Sequence, residues 1–378
     1  MGRNIKNLFH QVRRKLAKIW LEINLQLTVV GVTGSYGKTT AVTAIASVLS
    51  GKYSVNKTDI NLDTVFNLPV TILKTKIWNE VLVLEYGIDH LGEMDRHLSL
   101  VKPKIAVLTG ITPVHTDKDL LRSLSNVVSE KSKLIEAVPP LGLAVLNYDD
   151  EEVRKVGLKL KGRKVFYGLS EKADVWADKI ILSLLRTSFQ LHDGEEKILI
   201  NSGLLGYQAV YACLVAYIVG KEQKVDIGTI VQKLAQLKPL EGRFSVGPGP
   251  QQTVLINDAK RSNPASVIAG LKSLSQFSGR KIAVLGEMGE LGESSVSMHQ
   301  QIGKEAASCQ IDMLVGVGSL AKYTVEAAQN FGLKKAFFAK DINSAADFLK
   351  KNLQKGDLIY LKASLHKHLE RIIPLLLQ

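Results

Sequence analysis

The sequence has little cysteine and no long apolar run, and both absences narrow what the chain can be. Only two cysteines occur among 378 residues, Cys213 and Cys309, and they lie far apart in apolar contexts. We therefore expect neither a disulfide framework nor a paired-cysteine metal site, which fits a reducing, cytoplasmic setting. The longest weakly charged stretch, 204–220, has 17 residues and contains Gln208 and tyrosines, so it predicts a buried helix and not a membrane span.

The N-terminus lacks the pattern of a secretory signal, because charges interrupt its apolar positions and no small-residue cleavage site follows. We interpret residues 1–26 as a basic amphipathic helix. Its apolar residues at helical spacing are Ile5, Leu8, Phe9, Val12, Leu16, Ile19, Trp20 and Ile23, and its basic residues, largely elsewhere, are Lys6, Arg13, Arg14, Lys15 and Lys18. Two interpretations stay open: packing on the next domain with a solvated basic face, or peripheral contact of residues 1–25 with an anionic membrane.

The chain has fewer acidic than basic residues, 36 against 49, which gives a formal net charge of +13. Such a charge suits nucleic acid, an anionic membrane surface or small polyanionic substrates such as nucleotide phosphates. No nucleic-acid-binding motif accompanies the charge. We therefore expect small-molecule substrates and no nucleic acid, and a nucleic-acid-associated ATPase is the weakest interpretation.

From Leu27 onward, short apolar runs alternate with helical patterns, which predicts an α/β fold with a parallel sheet and crossover helices. Residues 174–200 instead predict two or three antiparallel strands with a turn at Asp193-Gly194. A proline- and glycine-rich stretch near residue 240 suggests a boundary, after which the alternation resumes. We predict a central domain over 27–239 and a smaller, Rossmann-like α/β domain over 240–378.

The first strand leads into a glycine-rich loop, GVTGSYGKTT at residues 31–40. An apolar strand, closely spaced glycines and a helix opening at Lys38 would surround an anion with backbone amides and a helix N-terminus. The spacing differs from the usual phosphate loop, which would need glycine at position 32, where the chain has Val32. As in phosphate loops generally, Lys38 would reach the terminal phosphates of ATP and Thr39 a magnesium ion.

That shifted spacing resembles the ATP loop of the Mur ligases and folylpolyglutamate synthetases. Later stretches are similar to Mur ligases in the same order, and to the branch that adds D-alanyl-D-alanine: VLEYG (83–87), TGITPVH (109–115), LNYDD (146–150), EGRF (241–244), NDAKRSNP (257–264) and LGEMGELGE (285–293). The similarity covers roughly residues 29–378 and implies a central ATPase domain followed by a C-terminal ligase domain. It also implies an ATP- and magnesium-dependent carboxylate-amine ligase.

The resemblance assigns roles to individual positions. Glu85 follows a buried strand at the edge of the sheet where the loop lies, so its carboxylate suits magnesium; His115 and a carbamylated Lys131 would join it, although Lys131 alone would be an ordinary helix-face lysine. The metal site would thus be Thr39, Glu85, His115 and Lys131, and the catalytic residues Lys38, His115, Lys131 and Arg243. The nucleotide site would comprise Gly34, Ser35, Gly37, Lys38, Thr39, Thr40, Gln208, Arg243 and Asp258.

Three departures from the family pattern bear on the substrate. A typical member of this branch begins with a domain that helps hold a uridine-diphosphate sugar, whereas the basic helix stands at that place here. The family's adenine-holding motif His-Asn-x-x-Asn is replaced here by Tyr207-Gln208-x-x-Tyr211, in which Gln208 still offers an amide. Lys260 replaces the usual tyrosine.

The leading interpretation is a ligase of peptidoglycan synthesis that adds a D-Ala-D-Ala type dipeptide to a muramyl peptide. The alternative is a related amide ligase with a different, membrane-associated carboxylate acceptor.

Overall fold

The computed structural model describes residues 2–59, 64–364 and 368–377. Ile5, Lys6 and Leu8 of the predicted amphipathic pattern lie outside the described side chains. Two sheets organise the chain, one built from its first two thirds and the other from its last third. The α/β class expected from the alternating pattern is confirmed.

The first sheet has nine strands in the order β2-β3-β1-β4-β5-β6-β7-β8-β9. Strands β1 to β7 pair in parallel, and β7, β8 and β9 pair antiparallel, with the tight turn at Asp193-Gly194 that the sequence predicted. The strands are Thr28–Thr33 (β1), Val55–Lys57 (β2), Val81–Glu85 (β3), Ile105–Leu108 (β4), Leu143–Asn147 (β5), Lys164–Gly168 (β6), Val175–Leu182 (β7), Thr187–Asp193 (β8) and Glu196–Ser202 (β9).

Helices cover both faces of this sheet, which explains why its central strands are apolar along their whole length. One layer contains α2 (Lys38–Leu49), α7 (Tyr207–Glu222) and α8 (Ile227–Ala235). The opposite layer contains α1 (Gly2–Ile23), α3 (Thr64–Lys74), α4 (Glu93–Leu100), α5 (Leu124–Glu136) and α6 (Glu151–Lys159). Within the described residues, no helix has both the length and the apolar character that crossing a bilayer requires.

The second sheet has six strands in the order β10-β11-β15-β12-β13-β14, all parallel except the β10–β11 pair. Its strands are Ser245–Pro248 (β10), Val254–Asn257 (β11), Lys281–Gly286 (β12), Met313–Val317 (β13), Ala336–Ala339 (β14) and Leu358–Lys362 (β15). Its helices are α9 (Pro264–Ser275), α10 (Ser295–Ser308), α11 (Ala321–Asn330), α12 (Ile342–Asn352) and α13 (Ile372–Leu377). Because helices again pack on both faces, this is the second doubly wound unit that the sequence predicted.

Candidate active site

The loop between β1 and α2 has the geometry of a phosphate cradle. Gly34 and Gly37 have φ of 148° and 75°, and Gly37 is the N-cap of α2, so backbone amides of the loop and of the helix start face one space. Lys38 Nζ donates to the carbonyl of Gly34 at 2.7 Å, which holds the side chain across the loop. Burial lowers the pKa of Lys38, which the Glu85 carboxylate counteracts and the Arg261 guanidinium reinforces.

The glycine that falls at position 31 belongs to the strand and not to the cradle. A Cβ at Gly31 would lie 2.9 Å from the Tyr86 ring, so glycine there permits close packing of β1 against the chain after β3. The unusual position of the first glycine, at residue 31, is therefore explained by packing between β1 and the chain after β3. The anion-facing part begins at Gly34.

Tyr36, inside the loop, packs against Gly110, which lies in the loop that follows β4. A Cβ at Gly110 would lie 2.1 Å from the Tyr36 ring. The Tyr36 hydroxyl donates to Asp150 Oδ2 at 2.9 Å, and the same oxygen accepts from the Ile111 amide at 2.9 Å. The LNYDD motif thus braces the phosphate loop against the loop that follows β4.

Two oxygen donors and a guanidinium meet at the start of α2. The Thr39 hydroxyl donates to Glu85 Oε2 at 2.9 Å, and Arg243 NH2 donates to the Thr39 hydroxyl at 3.3 Å. Arg243 follows the last helix of the first sheet, and its buried Nε has no hydrogen-bond partner. A cation carried by the C-terminal part of the chain therefore lies directly against the phosphate loop.

His115 lies among carboxylates on the other side of the cleft. Its Nδ1 is 2.8 Å from Glu290 Oε2 and 3.5 Å from Asp89 Oδ1. Glu290 comes from the loop after β12, whereas Asp89 follows β3. Both His115 and Glu290 have φ near 60°, a conformation uncommon for residues other than glycine.

Lys131 on α5 is buried, with 1% of its surface exposed. Burial, and then the nearby Lys38 ammonium, lower the pKa of Lys131 to about 7, and the carboxylates of Asp89 and Glu85 only partly oppose this shift. The pKa of Lys131 therefore lies well below the ordinary value for lysine. This is an unusual state for lysine, and it arises next to the phosphate loop.

Further hydrogen bonds join the C-terminal part of the chain to the cleft. Asn263, the N-cap of α9, donates from its amide to the Ser35 carbonyl at 3.2 Å. The Thr116 amide donates to the Glu290 carbonyl at 3.0 Å, and the Gly292 amide donates to Asp117 Oδ1 at 2.8 Å. Both sheets therefore contribute to one site.

A cleft of about 420 Å³ lies between the two sheets. Seven of the predicted residues line it, namely Ser35, Gly37, Lys38, Thr39, Glu85, His115 and Arg243. Gly34, Thr40, Lys131, Gln208 and Asp258 are not among its lining residues. The charged lining residues are Lys38, Arg243, Lys260, Arg261, Lys362, Asp59, Glu85, Asp89 and Glu290.

Asp258 and Gln208, which do not line the cleft, differ in whether their side-chain oxygens accept hydrogen bonds. Asp258 is buried, and its Oδ2 accepts from Lys362 Nζ at 2.6 Å and from the Tyr360 hydroxyl at 3.1 Å. The buried carbonyl oxygen of the Gln208 side chain has no hydrogen-bond partner. An amide acceptor of this kind is free to receive a donor from a ligand.

Glu290 of the LGEMGELGE stretch lies in the cleft, whereas Glu287 and the later His299 form hydrogen bonds within the C-terminal part of the chain. Glu290 faces His115, but Glu287 accepts from the Ser319 hydroxyl and the Leu320 amide. His299 is buried, accepts from the Met288 amide through Nε2 and lies 2.6 Å from the Ser295 carbonyl through Nδ1. Of these three residues, only Glu290 therefore lines the cleft.

Sequence reasoning passed over Asp89 and Tyr36 and gave Lys362 no role. Asp89 lies four residues beyond Glu85 after the same strand, so the rule that polar residues after parallel strands meet at one edge could have found it. Lys362 is the last residue of β15, so the same rule applies to it. Tyr36 gave no signal in the sequence, because its role depends on the gap at Gly110.

Among the described residues, no three His, Cys, Asp or Glu side chains are grouped so as to hold a metal ion on their own. The cleft nevertheless suits magnesium, because Thr39 and Glu85 present hydroxyl and carboxylate oxygens 2.9 Å apart beside the phosphate cradle. Magnesium is commonly bound by one or two carboxylates together with substrate phosphates. The donor set of this chain fits that arrangement.

A phosphate cradle, hard oxygen donors and cations from two domains define a nucleotide-dependent enzyme whose reacting groups meet between the domains. The Mur ligase middle domain matches residues 32–220, and the Mur ligase glutamate ligase domain matches residues 242–365. The chain belongs to the Mur ligase family.

Named relatives point to one branch of that family. The UDP-N-acetylmuramoyl-tripeptide--D-alanyl-D-alanine ligase of Bacillus subtilis is 29% identical over 363 residues, which are 95% of this chain and 78% of that protein. The ligase of the same name from Mycobacterium bovis is 28% identical over 361 residues, which are 89% of this chain and 70% of that protein.

Solved structures agree with these relatives. The crystal structure of MurF from Acinetobacter baumannii superposes with a TM-score of 0.88 at 26% identity, over 97% of this chain and 80% of that one. MurF from Thermotoga maritima in complex with ADP gives a TM-score of 0.84 at 25% identity, over 97% of this chain and 83% of that one.

Proposed function

We propose that the chain is an ATP-dependent ligase that joins an amine to a carboxylate through an acyl phosphate. A carboxylate oxygen attacks the γ-phosphorus and ADP leaves; the amine then attacks the acyl carbon, phosphate leaves with the bridging oxygen, and the amine loses a proton. The observation that carries this proposal is the convergence of the phosphate cradle, Glu85 and Arg243 on one cleft between two domains. Such a cleft lets two substrates meet away from water.

The basic residues of the cleft would offset the charge of the transferring phosphoryl group. Lys38 would exchange its bond with the Gly34 carbonyl for the terminal phosphates, and Gly34, Ser35, Gly37 and Thr40 would complete the cradle. Arg243 would act from the C-terminal domain, so closure of the domains would bring its charge to the reacting group. Its unpartnered Nε supports this role, since a buried donor needs an acceptor.

Magnesium would be held by Thr39 and Glu85, with His115 and a carbamylated Lys131 nearby. When bound, the ion would neutralise phosphate charge in the transition state. A lysine with a pKa of about 7 supports carbamylation, because only the neutral amine adds carbon dioxide. A ¹³C-bicarbonate NMR resonance that Lys131→Met abolishes would support the carbamate, and an identical spectrum for both proteins would rule it out.

The nucleoside part of ATP would meet Gln208 and Asp258. The unpartnered carbonyl of Gln208 suits the exocyclic amino group of adenine, a hydrogen-bond donor. Asp258 would reach the ribose only if its bonds with Lys362 and Tyr360 rearrange. Replacement of Gln208 with Leu should therefore raise the KM for ATP while preserving the ratio of product to ATP consumed.

The relatives' names indicate a muramyl tripeptide as the carboxylate and D-alanyl-D-alanine as the amine. We infer the same pair for this chain, and hence a role in peptidoglycan synthesis. The second candidate is a different, membrane-associated carboxylate. Lys260 and Arg261 in the cleft favour it, because they add positive charge where the family resemblance places an uncharged tyrosine at position 260.

The test is phosphate release with ATP and a panel of carboxylates and amines, beginning with UDP-N-acetylmuramoyl tripeptide and D-alanyl-D-alanine. We expect release only when both substrates are present, and a fall of about 100-fold or more in Lys38→Ala. Lys52→Ala is the matched control, since Lys52 is exposed in the turn that follows α2. Release that ignores the carboxylate and the amine would contradict the proposal.

A further inference from the structure

Helix α1 uses only one of its faces to pack on the rest of the chain. Ala17 is fully buried, and Trp20 and Leu21 pack against the core beneath it. Arg14 NH2 donates to the Arg96 carbonyl at 2.7 Å and to the Ser99 hydroxyl at 3.1 Å, and the His10 ring meets Phe66 edge-on. These contacts fix α1 against α3 and α4 along its length.

The outward face of α1 is apolar as well. Phe9, Val12, Leu16, Ile19 and Ile23 recur at steps of three and four residues, so they form one continuous line, the outer stripe. All five are exposed, from 46% at Val12 to 63% at Ile23. An exposed apolar line of this length is unusual on a soluble domain and indicates a binding surface.

Further exposed apolar residues lie near the C-terminal end of α1. Leu25 is 86% exposed, and Ile77 and Trp78 in the turn after α3 are also exposed. That turn lies beside the chain leaving α1, because the Thr28 amide donates to the Glu80 carbonyl at 2.9 Å. Tryptophan is favoured at membrane interfaces, where its ring bridges apolar and polar layers.

Positive charge borders the outer stripe. Arg13, Lys15 and Lys18, here called the basic flank, are exposed on α1. The whole helix carries six basic residues and one acidic residue, Glu22. Pairing of two copies through their outer stripes would bring basic flanks together, which like-charge repulsion opposes.

We propose that α1 is a membrane-docking helix that lies in the plane of an anionic bilayer. Its outer stripe and Trp78 enter the boundary between headgroups and acyl chains, and its basic flank contacts lipid phosphates. None of the α1 residues lines the cleft, so docking leaves the cleft open to substrates. The proposal stands independently of which carboxylate the enzyme uses.

Flotation of the full chain with vesicles tests the proposal. We expect binding to phosphatidylcholine vesicles containing about one third phosphatidylglycerol, and loss of most of it with pure phosphatidylcholine or at about 0.5 M salt. Lys15→Glu/Lys18→Glu should weaken partitioning by about 30-fold or more. Lys350→Glu/Lys351→Glu makes the same change in net charge at exposed positions of α12 and should bind as wild type.

The apolar contribution is tested with Leu16→Glu against Leu158→Glu, a similarly exposed leucine of α6. Only Leu16→Glu should lose flotation, and sedimentation velocity should show both variants folded at the size of the wild type. Equal flotation of all variants would overturn the proposal. A wild-type dimer that Leu16→Glu dissociates, without vesicle binding, would also overturn it and assign the outer stripe to a second copy.

Discussion

Gly110 and Tyr36 form a pair of residues that compete for the same space. Because the Tyr36 ring occupies the space that a Cβ of Gly110 would need, each residue constrains the other. The tyrosine hydroxyl in turn ties the phosphate loop to Asp150. The loop therefore derives part of its rigidity from a side chain that does not match any phosphate-binding pattern.

Replacing Gly110 with Ala should destabilise the chain by about 1–3 kcal/mol, because the new methyl group overlaps the Tyr36 ring. Tyr36→Ala/Gly110→Ala should recover part of that loss, giving a coupling energy of about 0.5–3 kcal/mol in a double-mutant cycle. Urea unfolding of the four proteins measures the cycle. Strict additivity would mean that the two residues do not compete for space.

Lys131 provides a second residue-scale prediction, from the direction of its pKa. Burial lowers that pKa to about 7 from 10.5, so between these pH values the folded chain binds fewer protons than the unfolded chain. Stability contributed by this group therefore rises with pH across that window, by at most about 1.4 kcal/mol per pH unit.

Urea unfolding in metal- and bicarbonate-free buffer at pH 7.5 and pH 9 compares wild type with Lys131→Met. The wild type should gain stability relative to the variant as the pH rises. Parallel curves for the two proteins would show that Lys131 remains charged. The sequence alone could not predict this lysine's state, because burial depends on how α5 packs under the sheet.

At the scale of elements, the spacing of apolar residues and the positions of glycine and proline predicted most helices and strands. The Asp193-Gly194 turn, the apolar parallel strands and the buried helix within 204–220 are confirmed. Helix α3 was not predicted, since Pro69 lies inside it and proline usually ends a helix. Strand order could not be read from the sequence, because long-range packing decides which parallel strands are neighbours.

Helix α9 is joined to the phosphate loop through its N-cap residue, Asn263. Asn263→Ala removes its capping box and the bond to the Ser35 carbonyl, so we expect about 1 kcal/mol less stability and a fall of about 3–10-fold in kcat/KM for ATP. Asp341→Ala removes the matching capping box of α12, far from the cleft. The Asp341→Ala variant should lose a similar free energy of unfolding and keep its kcat/KM for ATP. Equal losses of kcat/KM in the two variants would show that Asn263 acts only as a cap.

At the scale of the whole molecule, the cleft exists only where the two sheets meet. The sequence pointed to Lys38, Thr39, Glu85 and Arg243 one motif at a time, and the fold brings these four residues together. Glu287 and His299 lie near Glu290 in the sequence, yet their hydrogen bonds place them in the fold of the C-terminal sheet. Motifs identify candidates, and tertiary contacts decide which of them face substrate.

The most direct measurement of the central claim follows oxygen from the carboxylate substrate to phosphate. With UDP-N-acetylmuramoyl tripeptide labelled by ¹⁸O in its terminal carboxylate, D-alanyl-D-alanine and ATP, mass spectrometry of the products reports the route of the reaction. An acyl phosphate requires one labelled oxygen in each phosphate released and one left in the amide. Unlabelled phosphate would contradict carboxylate activation by this enzyme.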